Sequence, residues 1–166
     1  YYFREGITWS GLTSDANSFR WSDKGFVFDS NKGQMLFSNQ NHELLPFLNS
    51  KVCAEIVSLI NPTLSLQSNE IKKISYTRPS GAQVGKICEQ LVKLSRSDWD
   101  AYETSWDFTT LPLLHRDHRD ETLAATYTTL RAHWRGMTDE MQRLEEENNR
   151  IFIDAYGLQD ELTPEV

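Results

Sequence analysis

Apolar and aromatic residues recur in steps of four and three from Leu123: Tyr127, Leu130, Trp134, Met137, Met141, Leu144, Asn148, Ile151 and Ala155. Every seat but Asn148 is apolar or aromatic, and the charges lie between the seats, the run Glu145-Glu146-Glu147 among them. A heptad sustained this long predicts one helix from Asp120 to Gly157 with a narrow buried seam. At about 1.5 Å per residue it would be roughly 55 Å long. Gly157 supplies the stop, with Leu158 placed to fold back on the last turn. The seam needs another helix: an antiparallel one from this chain, a second copy in a coiled coil, or one from another domain or partner. Asn148 either fixes the register or marks where the covered seam ends. Gly136, mid-helix, weakens it by roughly 1 kcal/mol relative to Ala.

Before this helix the pattern changes. Gly6-Ile7-Thr8-Trp9-Ser10, Phe26-Val27-Phe28 and Met35-Leu36-Phe37 are short β-prone runs parted by turn residues, as in a small antiparallel sheet. The Gly11 to Asn17 stretch reads as a loop. Residues 43–60 predict one helix with a wide apolar face, with Pro46 in its first turn and Asn61-Pro62 at its end. Residues 64–76 read as a short strand or turn returning to the sheet, and Gln83 to Ser95 as a further helix. Between them and the long helix, Trp99 and Trp106 sit in an acidic stretch and are expected to pin it down. The fold class is α+β: a small antiparallel sheet with packed helices, then an antiparallel helical arm. The predicted division is a recognition domain over 1–79 and a helical spacer over 80–166.

Composition sharpens this. The chain has 166 residues, 39% of them hydrophobic, enough for one domain and an appendage. It opens on Tyr1-Tyr2-Phe3 rather than on Met or a signal peptide, and is expected to be a piece of a longer protein. No apolar run approaches the ~18 residues of a membrane span, so no membrane partner is expected. Cys53 and Cys88 lie in apolar helical patterns and are expected to be buried free thiols of a cytoplasmic protein. The net charge of −7 is unevenly spread. Residues 1–97 hold 11 Lys and Arg against 8 Asp and Glu, a net of +3, while residues 98–166 hold 6 against 16, a net of −10. Phosphate would face the first part and be repelled by the second.

Candidate contacts therefore lie early. Arg20, Trp21, Ser22 and Lys24 cluster within five residues, with Arg4 and Lys32 expected nearby on the exposed side of the sheet. Arg reads a guanine edge with two hydrogen bonds, and hydroxyls such as Ser10 and Ser22 hold phosphate or base. Lys72, Lys73 and Arg78 are candidate phosphate contacts. The same residues also suit a solvated sheet face with Trp9 and Trp21 in the core.

The motifs of enzymes are missing. Gly81-Ala82-Gln83-Val84-Gly85-Lys86 has the wrong spacing for a phosphate loop and lacks a Ser or Thr after the Lys. His115, Asp117, His118 and Asp120 lie in a charged stretch without Cys, and no metal is assigned to them. Asn61-Pro62-Thr63-Leu64 lacks the second proline and the aromatic of an amino-methyltransferase motif. No catalytic, cofactor-binding or metal-binding residue is assigned.

Several stretches together resemble a known family. Gly6 to Ser10 and Gly25-Phe26-Val27-Phe28-Asp29 resemble the target-recognition region of adenine-specific DNA methyltransferases of the type IIG and BREX/Pgl kinds. Leu48 to Val52 with Asn61 to Leu64 fits the helix after the sheet. Ser97 to Asp100, Glu103 to Phe108 and above all Asn149 to Val166 resemble the PglX family, the methyltransferase of BREX phage-defence systems. The resemblance runs through almost the whole chain. One departure is Ser75-Tyr76-Thr77-Arg78-Pro79, where the family has an Ile-Pro turn, and a shifted boundary between sheet and arm is expected there.

The resemblance implies a segment C-terminal to the catalytic domain. It would clamp double-stranded DNA while the methyltransferase domain of the same polypeptide flips an adenine and methylates its N6. S-adenosylmethionine is then the cofactor of the full-length protein, with none held by this segment. Two other readings stay open: an assembly module whose heptad arm docks other defence-system proteins or a second copy, and a fragment of a type I restriction specificity subunit.

Overall fold

A computed structural model describes residues 1–13, 17–81 and 83–166. Ser14, Asp15 and Ala16, in the expected Gly11 to Asn17 loop, lie outside the described residues. Contacts divide the chain into two compact units, Tyr1–Cys88 with Glu146–Val166, and Glu89–Glu145.

The first unit is built on a three-stranded antiparallel sheet. Strands β1 (Gly6–Ser10), β2 (Phe19–Ser22) and β3 (Gly33–Leu36) lie in the order β2-β1-β3. Ile7 pairs with Trp21 and Leu36, and Trp9 with Phe19 and Gln34. Side chains alternate along a strand, so these residues share one face, and Ile7, Trp9, Phe19 and Gln34 are buried there. The buried Trp9 indole must still place its N–H, which it donates to the Leu66 carbonyl at 3.0 Å.

Phe26-Val27-Phe28 is not a strand. Both edges of β1 are already taken by β2 and β3, and Gly25 turns the chain at φ +100°. Phe26 keeps one backbone bond, from Phe3 N at 3.0 Å, and Phe26 and Val27 stay exposed.

Residues 43–60 form two helices rather than one, α1 (Asn41–Leu48) and α2 (Lys51–Ile60). Ser50 makes the break. Its hydroxyl donates to the Phe47 carbonyl at 2.6 Å and accepts from Cys53 N at 3.2 Å, closing one helix and capping the next. Pro46 is therefore near the end of α1, not in its first turn. Residues 64–76 hold a single-turn helix α3 (Ser68–Ile71), preceded by a bridge between Leu12 and Ser65. Both cysteines are buried and are not joined to each other in a disulfide.

Helix α4 (Gln83–Trp99) and the 34-residue α5 (Leu123–Tyr156) each run through both units. At 1.5 Å per residue α5 is about 51 Å long. Its C-terminus closes as expected: Gly157 has φ +68°, Gly157 N reaches Asp154 O at 3.2 Å and Leu158 N reaches Ile153 O at 3.0 Å, the paired bonds of a Schellman motif.

The part of α5 in the first unit is buried more widely than a seam. Asn148, Asn149, Phe152 and Ile153 are all buried, and the Phe47 ring lies 5.3 Å from Phe152 and 5.9 Å from Tyr156. Asn148 donates to the Pro46 carbonyl at 2.9 Å. Asn149 accepts from Lys51 N and donates to the Pro164 carbonyl, both at 3.0 Å. The two asparagines thus clasp the end of α1, the start of α2 and the C-terminal tail.

In the second unit Thr122 Oγ1 accepts from Ala125 N at 3.2 Å, capping α5. Two 3-10 turns, Pro112–Leu114 and Arg116–His118, precede it. Leu130 is buried, whereas the seam positions Leu123, Tyr127 and Trp134 are exposed; the predicted seam is covered only in part. Trp106 is 100% exposed, and Trp99 is exposed as well. Neither is the expected anchor, because the turn is held by Ser105, whose hydroxyl donates to Asp100 Oδ1 at 2.6 Å and accepts from Asp107 N at 3.1 Å. Among the described residues no helix is long and apolar enough to cross a membrane.

Candidate nucleic-acid interface

Strand alternation divides the cluster Arg20-Trp21-Ser22. Arg20 pairs with Thr8, Ser22 with Gly6 and Ser10 with Gly33, which puts Ser10, Arg20 and Ser22 on the face opposite the buried one. Arg20 and Ser10 are exposed and Ser22 is half-buried. Thr8, between them, commits its hydroxyl to the Gln34 carbonyl at 2.9 Å. That leaves Arg20 as the long cationic group of this open face, with hydroxyls on either side.

Trp21 faces the other way. Its ring stacks on His42 with centroids 4.5 Å apart and planes at 28°, and its indole N–H donates to Asp23 Oδ1 at 3.0 Å. The stacked pair forms one wall of a cleft of about 400 Å³. Phe3, Arg4 and Glu5 line it from the segment before β1, Lys24 from the turn after β2, and Ser38, Asn39 and Asn41 from the entry to α1. The Arg4 guanidinium lies 5.8 Å from the Tyr1 ring centre and 5.6 Å from that of Phe37, a cation held against aromatic faces. Lys24 Nζ is 3.7 Å from Glu5 Oε2.

The remaining predicted residues join neither group. Lys32 is exposed just before β3, at the Ser10 end of β1, where its carbonyl accepts from Gly11 N at 3.3 Å. Lys72 and Lys73 are exposed in the turn after α3. Arg78 is ion-paired with Glu43, which lies beside Tyr76; burial, then the Glu43 charge, raises the Tyr76 phenol above its ordinary value.

His42 and Glu5 also line the cleft, although neither is among the residues predicted to contact DNA. His42 stands 21 positions from Trp21, and no spacing rule joins them; they meet because α1 packs against β2.

The near-match to a methyltransferase motif is structural. Asn61 Oδ1 accepts from Thr63 Oγ1 at 2.7 Å, and its Nδ2 donates to the Ser65 carbonyl at 2.7 Å. The side-chain amide is consumed in its own turn. Among the described residues no group of three or more His, Cys, Asp or Glu is arranged to hold a metal ion.

No protein-family model matches the chain. The chain is similar to the adenine-specific methyltransferase PglX of Lacticaseibacillus casei (strain Zhang), with 40% identity over 169 aligned residues that cover 98% of this chain and 14% of the relative. It is also similar to the adenine-specific methyltransferase BrxX of Escherichia coli O9:H4 (strain HS), with 28% identity over 167 residues, 98% of this chain and 13% of the relative. The chain thus spans about one-seventh of the length of the curated relatives it matches.

Proposed function

This chain belongs with the adenine-specific methyltransferases of the PglX and BrxX kind, and we propose that within such an enzyme it is the part that recognises sequence in duplex DNA. The observation that carries the reading is the open sheet face, with Arg20 exposed beside Ser10 and Ser22 while the core occupies the other side. A β-ribbon fits the major groove, and Arg there makes a bidentate contact to guanine O6 and N7. Lys72, Lys73 and Arg78 supply phosphate contacts, Arg78 by exchanging Glu43 for a phosphate. The net charge of +3 on residues 1–97 favours this side, and the −10 on residues 98–166 keeps the rest of the chain off the backbone.

Methyl transfer belongs to the whole enzyme, with S-adenosylmethionine as donor. Two glycines of the sheet region do not make a turn for that cofactor. Gly6 and Gly11 are used for close backbone packing, since an added Cβ would meet the carbonyl oxygens of Leu36 at 2.6 Å and Asn31 at 2.5 Å. Neither glycine opens a helix, as a phosphate- or nucleoside-binding turn requires. The enzyme acts in the cytoplasm, as part of phage defence, on the DNA found there.

Selection from a randomised duplex library, with salt titration, tests the reading. Arg20→Ala is expected to change the sequence selected. Lys72→Ala is expected to weaken all sequences alike and lower the salt slope by about 1. Equal losses on every sequence from both variants would sink the division of roles, and a chain that enriches no sequence would sink the recognition reading. In the whole enzyme, replacing residues 1–97 should change which adenines are methylated.

A second reading, docking of another defence-system protein, draws on the second unit, where Trp106, Trp99 and Tyr127 are exposed. It predicts a loss of complex assembly on Trp106→Ala with the selected sequence unchanged.

A further inference from the structure

Resting on the docking reading, the second of the two above, we infer that the turn from Asp98 to Phe108 in the second unit binds an arginine-rich segment of a partner protein. Between Arg96 and Arg116 the chain carries Asp98, Asp100, Glu103 and Asp107 and neither Lys nor Arg. Three large rings stand out of the same stretch: Trp99 and Tyr102 are more than half exposed, and Trp106 is fully exposed. Single exposed apolar residues are ordinary, but three rings between positions 99 and 106 form a patch, and such patches mark protein contacts.

The backbone holds these rings out. It winds through successive turn bonds, Ala101 N to Asp98 O and Tyr102 N to Trp99 O, both at 3.2 Å, then Ser105 N to Tyr102 O at 3.0 Å and Phe108 N to Ser105 O at 3.4 Å. Ser105 is buried at the centre and ties the Asp100 carboxylate to the Asp107 amide. The rings therefore sit on a fixed frame, which keeps the ordering cost of binding low. Each ring has a carboxylate next to it in sequence: Asp98 and Asp100 flank Trp99, Glu103 follows Tyr102 and Asp107 follows Trp106. Asp98, Glu103 and Asp107 are exposed and carry no ion pair among the described residues. A guanidinium meets both features at once. It is planar and weakly hydrated, lies flat on an aromatic face and pairs with a carboxylate at its edge. An ammonium brings the charge without the stacking plane. A wholly apolar partner would bury the carboxylates unpaired, and a nucleic acid would be repelled by them.

The test is the affinity of the full chain for three labelled peptides of one length, alternating glycine with arginine, lysine or glutamate, read by fluorescence anisotropy. The arginine peptide is expected to bind about tenfold tighter than the lysine peptide, the size of one or two cation–π contacts, and the glutamate peptide is expected not to bind. Trp106→Ala should remove most of the arginine preference, and Trp106→Phe should keep part of it. Asp98→Asn combined with Asp107→Asn should weaken the arginine and lysine peptides alike. Asp98, Trp106 and Asp107 are exposed, so these changes leave the core intact. Equal binding of the arginine and lysine peptides would overturn the site, because charge alone would then explain it. So would an arginine preference unchanged by Trp106→Ala. If Trp106→Ala breaks assembly of the defence complex while no peptide binds, the docking reading stands and the arginine-rich partner is overturned. Selective binding of the arginine peptide with assembly unmoved by Trp106→Ala supports the site and counts against the docking reading.

Discussion

Asn149 separates two accounts of the long helix by sign. Along the heptad it is an off-seam residue next to Asn148, and a surface reading makes Asn149→Ala neutral or favourable, since Ala exceeds Asn in helix propensity by roughly 0.5 kcal/mol. In the fold it is buried, accepts from Lys51 N and donates to the Pro164 carbonyl. Truncation deletes both bonds, at about 1 kcal/mol each, and strips a partner from a first-turn amide of α2 and from a carbonyl in the tail. Against the gain in propensity, the expected net loss is roughly 1.5 kcal/mol. For a chain of this size that lowers Tm by about 3–6 °C. Urea denaturation followed by helical circular dichroism would measure it, with the midpoint falling at unchanged slope. Asn149→Asp keeps the acceptor at the α2 N-terminus, where negative charge is favoured, but loses the donor. It should fall between wild type and Ala at neutral pH. An Asn149→Ala chain as stable as wild type would refute the clasp.

Other changes probe single features. Ser50→Ala removes the hydroxyl shared by Phe47 O and Cys53 N and should cost about 1 kcal/mol in the same denaturation assay. Gly157→Ala forces a side chain into φ +68° and should destabilise by about 1 kcal/mol through loss of the helix stop. Burial pushes the Cys53 thiol from its ordinary value of 9.0 up to about 12. A thiol reagent at pH 8 should therefore leave Cys53 unmodified in the native chain and label it after urea. The native thiol holds its proton where the unfolded one loses it, so this group's contribution to stability is complete below about pH 9 and declines as pH rises towards 12.

Local chemistry was legible along the chain, and long-range partnership was not. The sequence alone determined that Leu123 to Tyr156 is helical and that Gly157 ends it, because helix propensity, heptad spacing and a left-handed stop act within a few residues. It determined β1, the helical character of residues 43–60 and the kinship with adenine-specific methyltransferases. Only the tertiary structure decided which β-prone run joined the sheet: Phe19–Ser22 and Gly33–Leu36 filled both edges of β1, and Phe26–Phe28 had no edge left to pair with. The fold also decided that Arg20 and Trp21, adjacent in sequence, serve opposite faces. It brought His42 to Trp21, and it turned Asn148 and Asn149 from a seam position and its neighbour into a clasp on α1, α2 and the tail. The physical reason is the same in each case. A hydrogen bond or a stacking contact is specified by both partners, and when they lie tens of residues apart the identity of one says nothing about the position of the other until packing has brought them together.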